Sequence, residues 1–248
     1  MALLSDAVMV LYCDVSADSA DHDDWHTYEH VRERLSIPGF LRGTRWTRTS
    51  GSPHYLMVYE VAGVDMAESP EYLARLNNPT AWTAATMKRL RGMNRGFCRV
   101  AASAGYGLGR TAFSMRFAQP GERARNWLAG ELQRITSWRG MASAHLFEPA
   151  AAPPMTKEQS IRGRDAEMTC VLLATAYDGE ALGRACGRHL DSQALERHGI
   201  APLDRGTYEL SFTATAAEVA RTPANRVLDA IERGTDGPRN GAGPNAIG

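Results

Sequence analysis

The order of apolar runs constrains this chain more than any other feature. Residues 6–15, "DAVMVLYCDV", form a continuous apolar stretch rich in β-branched residues and read as a buried strand. Past the polar "SADSADHDD", Trp25, Tyr28, Val31 and Leu35 recur at helical spacing over about 22–36. "IPGF" ends that helix, because the residue before Pro38 is pushed out of the α region and Gly39 permits a turn. "FLRGTRWTR" and "HYLMVYEV", separated by "TSGSP", are two strands of a hairpin. In "SPEYLARL", Ser69 caps a second helix and Pro70 takes its first turn; the helical pattern continues, broken at "NNP", through "TAWTAATMKRLRG", and "GFCRVAA" is a last strand. The order is βαββαβ.

The same order then returns. "TAFSMRFA" is a strand and "GERARNWLAGELQRITSW" a helix, followed by the strands "GMASAHLFE" and "AEMTCVLLATAY" around an insert containing "AAAPPMTKEQSIRGRD". "GEALGRACGRHL" is a helix and "GTYELSFTA" the closing strand. "MNRGFCRVAA" at 93–102 corresponds to "LDRGTYELSF" at 203–212, with Arg-Gly shared at the strand entry, so the chain reads as a duplication. The expected units are residues 1–104, 105–216 and 217–248. The last comprises a short helix around Pro223 and a Gly/Pro/Asn-rich tail expected to be disordered.

At 248 residues, Lys plus Arg and Asp plus Glu each number 28, so no field of one sign draws in nucleic acid or an anionic membrane. No apolar run reaches the ~18 residues of a membrane span. "MALLSDAVMVLYCDVS" lacks the basic start of a secretory leader, which predicts a cytoplasmic protein. Cys13, Cys98, Cys170 and Cys186 are scattered without a C-x-x-C and read as reduced packing residues.

Two βαββαβ units in one chain resemble the dimeric α+β barrel superfamily, in which two ferredoxin-like sheets close face to face. The resemblance implies an α+β fold with antiparallel sheets and the barrel closed within one polypeptide, either as a monomeric pseudo-dimer or in a homodimer. Within that superfamily, "DWHTYEHVRERLSIPGF", "YEV", "SPEYLARL" and "NPTAW" look like the EthD-like branch, over about residues 6–100. Val31-Arg32 stands where a Val-Pro often follows the histidine. The superfamily implies cofactor-independent monooxygenases, isomerases, cyclases and haem enzymes, among which the fold does not choose.

The candidate site lies in "DWHTYEH". His26 to His30 matches H-x-x-E-H, in which histidines four apart hold zinc and a glutamate serves as base. The alternation of strands and helices supplies neither a third ligand nor a zincin scaffold, so no metal is expected and no cofactor is called for. Haem through His26 or His30 is a further possibility, on the axial histidine of some barrel relatives, with no other residue pattern behind it. In a metal-free site His30 is the acid/base, oriented by Glu29 or Glu33. His26, Arg45, Tyr59, Glu60 and Trp82 are the candidate ligand contacts, and strand alternation puts Tyr59 and Glu60 on opposite faces.

At ~100° per residue, His26, His30 and Glu33 fall opposite the Trp25/Tyr28/Val31/Leu35 stripe, which predicts either a solvated polar face or a pocket closed by another segment, "NNPTAW" or the 51–54 turn. Trp46 and Tyr55 are candidate cavity aromatics, and Arg95 and Arg205, matched in both halves, read as structural. The second half has Asn126, Trp127 and Glu131 near the equivalent positions, so any site is asymmetric. The function expected is an enzyme acting on a small aromatic or carbonyl metabolite, or a non-catalytic binding or assembly module of the same fold.

Overall fold

The computed structural model describes residues 3–16, 19–151 and 154–222. The first half runs β1 (Ala7–Val15), α1 (Ser19–Trp25), a π turn (His26–His30), α2 (Val31–Leu35), β2 (Phe40–Arg48), β3 (Tyr55–Val61), α3 (Pro70–Asn77), α4 (Ala81–Met87) and β4 (Leu90–Gly105). The second runs β5 (Thr111–Phe117), α5 (Glu122–Thr136), β6 (Met141–Ala151), α6 (Lys157–Arg162), β7 (Cys170–Ala176), α7 (Gly179–His189), α8 (Ser192–Arg197) and β8 (Pro202–Thr215), with α9 (Ala216–Arg221) after it. The anticipated tail, and the final helix beyond Thr222, lie outside the described residues.

The eight strands close a barrel in the order β1-β3-β2-β8-β5-β7-β6-β4, with β4 returning to β1 and every pairing antiparallel. Each half contributes its strands in the order fourth, first, third, second, which is the ferredoxin-like order. The second strand of each half pairs with the fourth of the other, as β2 with β8 and β6 with β4. Leu11 opposes Arg95 on β4 as Met115 opposes Arg205 on β8, so the two Arg-Gly pairs occupy equivalent registers. The architecture is thus an antiparallel α+β barrel of two ferredoxin-like halves.

Strand alternation sorts the side chains into layers. On β1, Val8, Val10 and Tyr12 point into the barrel, where Trp46, Leu56, Val58, Phe147 and Tyr208 join them. Met9, Leu11 and Cys13 point outward and pack with Trp25, Val31, Leu35 and Tyr72 under the first-half helices. Leu128, Leu132, Ile135 and Leu182 do the same over β7 in the second half. The barrel is a packed core, and space for a ligand has to be sought between sheet and helices.

Two starts differ from the sequence reading. β4 begins at Leu90, inside the stretch read as helix, and Gly92 at φ +59° falls where its register against β1 shifts, between Arg91 and Asn94. The insert after β6 carries α6, a helix of only six residues at whose start the Thr156 N–H donates to Gln159 Oε1 at 3.2 Å. At "IPGF" the expected turn is present, with Gly39 at φ +94°.

Candidate functional site

The first helix departs from a regular α-helix at its histidines. Val31 N–H donates to the His26 carbonyl, five residues back, so the turn His26–His30 is a π turn. On a regular helix Trp25 and His30 sit roughly 140° apart, at ~100° per residue. The wider turn brings them onto one side, with ring centroids 4.3 Å apart. The expected solvated face is therefore overturned: His22, His26 and His30 are 0 %, 1 % and 6 % exposed, in the layer between helix and sheet. Their rings form a row with centroid spacings of 6.1 Å and 5.9 Å.

Tyr59 rises from β3 to meet this row, its hydroxyl 3.1 Å from His26 Nε2. Gly43 on β2 makes that possible, since a Cβ there would stand 2.8 Å from the Tyr59 ring. Burial, with the Arg34 and Arg45 guanidiniums nearby, holds His26 and His30 well below the usual imidazole range. Both are neutral at pH 7. Neutral His30 has a lone pair free to accept a proton, although the same burial weakens it as a base. His22 Nε2, His26 Nδ1 and His30 Nδ1 are buried without hydrogen-bond partners.

The carboxylates expected to orient His30 do not. Glu29 accepts from Thr80 Oγ1 at 2.6 Å and Thr83 Oγ1 at 2.9 Å, and Thr83 Oγ1 in turn accepts from Trp25 Nε1 at 3.1 Å. Glu29 thus ties the π turn to α4 and fixes Trp25. Glu33 is half-buried, its pKa raised by desolvation, and no hydrogen bond joins it to His30 among the described residues. Arg45 faces the helix layer and donates to the Asp23 carbonyl at 3.0 Å and Ser211 Oγ at 3.1 Å, so it borders the row.

Tyr59 and Glu60 do part to opposite faces. Glu60 lies inside the barrel, accepting from Arg42 Nε and the Leu4 N–H, both at 2.6 Å, and stands away from the histidines. Trp82 donates to Asp21 at 3.3 Å and clamps α4 to α1 rather than lining a cavity. Trp46 fills the barrel, while Tyr55 packs under His22 with centroids 4.2 Å apart.

Beside His30 is a nearly closed cavity of about 20 Å³, lined by His22, Trp25 and His30 and by the flexible sulfur-bearing chains of Met9, Met57, Met87 and Met93. Room for about one water remains. Burial pushes the Cys13 thiol at its edge up to about 12, leaving it unreactive.

The polar end of the cavity was missed from sequence. Arg34 of α2 donates through Nη2 to both oxygens of Glu158, at 2.9 and 3.1 Å. Arg162 and Arg95 both bind Asp165, at 2.8 and 3.0 Å, and Arg95 also donates to the Tyr72 hydroxyl at 3.2 Å. Glu158, Arg162 and Asp165 all come from the insert of the second half, which crosses onto the first. α4 covers part of the helix row, but α6, and not the 51–54 turn, closes the cavity. One signal was present: Glu158 and Arg162 are spaced four apart in "KEQSIRGRD", as one face of a short charged helix. Arg95, read as structural, is tied to Asp165 and to the Tyr72 hydroxyl.

The second half lacks this arrangement. α5 is a regular helix that packs Leu128, Leu132 and Ile135 onto the sheet, and its Glu131 binds His189 Nδ1 at 2.8 Å near the surface. Among the described residues no three His, Cys, Asp or Glu side chains are grouped to hold a metal ion. Haem does not fit the residues present: His26 Nε2 is engaged by Tyr59, and the space beside His30 is far smaller than a macrocycle. No described helix is long and apolar enough to cross a membrane.

No family model matches the chain, and no curated protein does. Solved structures do. An anthrone oxidase-like protein matches with a TM-score of 0.57 at 11 % identity, over 86 % of this chain and 94 % of that one. A candidate monooxygenase from Fusobacterium nucleatum matches at 0.55 and 10 % identity, over 86 % and 96 %. Another from Lactobacillus acidophilus matches at 0.53 and 10 %, over 85 % and 97 %. At such identities the likeness carries the fold and not the chemistry: these proteins share the α+β barrel fold seen here.

Proposed function

We propose that this is an EthD-like, internally duplicated α+β barrel protein that takes a small aromatic or carbonyl-containing metabolite between the first-half helices and the sheet, with His30 as proton acceptor in a metal-independent reaction. The observation that carries this reading is the row of three buried imidazoles, each with an unpartnered ring nitrogen. A buried polar atom left without a partner costs on the order of 1–3 kcal/mol. Apolar side chains in this layer, like Leu128 and Leu132 of α5 in the second half, would fill it without that cost. Neighbours described as anthrone oxidase-like and monooxygenase proteins are in keeping with an enzyme on this fold.

In the reaction, neutral His30 accepts a proton from an acidic C–H or O–H of the substrate. An imidazolium and a substrate anion form together, so the charge inside the layer does not change. Tyr59 positions the row through His26. Entry requires the methionine lining to rearrange and the α6 segment to give way, because only about 20 Å³ is open. That near closure supports the second reading, a non-catalytic binding module.

Hydrogen–deuterium exchange at the acidic methylene of anthrone and of phenylpyruvate, followed by NMR under argon, separates the two. Acceleration by the protein that falls about 100-fold or more in His30→Ala is the result expected of a positioned base. Binding detected by Trp25 fluorescence without acceleration favours the binding module. Neither binding nor acceleration with both probes sinks the reading.

A further inference from the structure

The ion-pair cluster at the polar end of the cavity is not neutral. At ion-pair distance Arg34, Arg95 and Arg162 meet Glu158 and Asp165, three guanidiniums against two carboxylates, all five at most 6 % exposed at the side chain, while the half-buried Glu33 carboxylate acts on Arg34 from farther off. Glu33, next to Arg34 in sequence, makes no ion pair among the described residues. Two donors have no partner: Arg34 Nη1 and Arg95 Nη2, both buried. Tyr72 draws the two arginines together, with the Arg34 guanidinium 5.6 Å from its ring and Arg95 bonded to its hydroxyl. A buried, uncompensated positive charge is costly, and it persists where something restores the balance.

The site is closed in this conformation but lies one ion pair from the surface. Arg34, Arg95 and Arg162 line the cavity beside His30. Arg95, with Gln159 and Asp165, lines in addition a surface crevice of about 730 Å³ flanked by Pro154, Met155 and Met168. The crevice and the cavity meet at Arg95, and the Arg95–Asp165 ion pair stands between them.

We propose that Arg34 and Arg95 form the binding site for a monoanionic head group, a carboxylate attached to an aromatic ring, with the ring lying toward Trp25 and His30. A planar carboxylate offers two acceptors to two unpartnered guanidinium nitrogens, and one negative charge brings the cluster to neutrality. The proposal rests on the pocket reading above and narrows it from aromatic or carbonyl metabolites to aromatic acids. Among the described residues the second half has no such cluster, which sets the expected stoichiometry at one anion per chain.

The test compares benzoate with benzamide, which has the same shape and no charge, by isothermal titration against the full-length protein at constant ionic strength, with sodium nitrate as an anion without a ring. Benzoate binding with a stoichiometry of one, at least tenfold tighter than benzamide, and weakened at least tenfold in Arg95→Gln, is the expected result. Equal binding of benzoate and benzamide would leave the pocket standing and overturn the anion site. Nitrate binding as tightly as benzoate would keep the anion site and overturn the ring pocket. Binding of none of the three overturns both. Where Arg95→Gln fails to fold, the benzoate-to-benzamide ratio on the unaltered protein decides alone.

Discussion

At the scale of single residues, the histidine row ties stability to pH. His26 and His30 are held neutral in the folded chain, whereas the unfolded chain protonates them as pH falls through about 6.5. The unfolded state then binds more protons, so stability is complete above that pH and declines below it. Each such histidine steepens the loss by at most about 1.4 kcal/mol per pH unit. His145, hydrogen-bonded to Ser103 at 2.9 Å and pushed down to about 4 by burial, adds to the same limb. Urea midpoints between pH 7.5 and 5 should drop steeply, and less steeply in His30→Gln; an unchanged slope in that variant would contradict the buried neutral imidazole. Gly43→Ala is the other informative change. The new Cβ meets the Tyr59 ring at 2.8 Å and pushes it off β2, so the variant should lose about 1–3 kcal/mol by overpacking and release His26. The His26 ring NMR signals report whether Tyr59 has moved.

At the scale of elements, the π turn and α6 place the site, and each escaped the sequence reading for its own reason. A helical wheel assumes a constant ~100° per residue, and one wide turn inside a seven-residue and a five-residue helix resets the phase. The helix itself, its end at "IPGF" and the flanking strands were all legible, because periodicity and turn chemistry are local. α6 was hidden inside an insert, since six residues carry too little pattern to stand out. Its attachment through the Arg34–Glu158 pair gives a prediction for the element. Arg34→Met leaves Glu158 buried beside only the distant Arg162 and should cost roughly 3 kcal/mol, while Arg34→Met combined with Glu158→Met should recover most of it. Chemical denaturation of the two single variants and the double variant measures the coupling; additive losses would mean that α6 is held by packing alone.

At the scale of the whole molecule, closure depends on both halves. Residues 1–104 alone would expose the free edges of β2 and β4 and the apolar barrel face of Val8, Val10, Leu56 and Val58. That fragment should self-associate, and light scattering on it should report at least a dimer; a stable monomer would show that closure is dispensable. Closure also explains how an insert from one half comes to line the cavity of the other, which no reading of either half alone contains. The recurring Arg-Gly stands at equivalent registers of β4 and β8, yet it gave no sign of what Arg95 would meet. Equal backbone places receive unequal surroundings once the insert arrives, and Arg95 became a partner of Asp165 while Arg205 did not. The sequence by itself determined the strands, the helices, their βαββαβ order and the asymmetry of the histidines, because these rest on residue periodicity and on turn and cap chemistry within a few positions. The tertiary structure alone decided that the histidines are buried, that Glu29 and Glu60 serve elsewhere, and that three arginines share two carboxylates beside His30. Those outcomes depend on contacts between residues as far apart as Arg34 and Glu158, and burial, charge balance and pKa follow from such contacts rather than from local pattern.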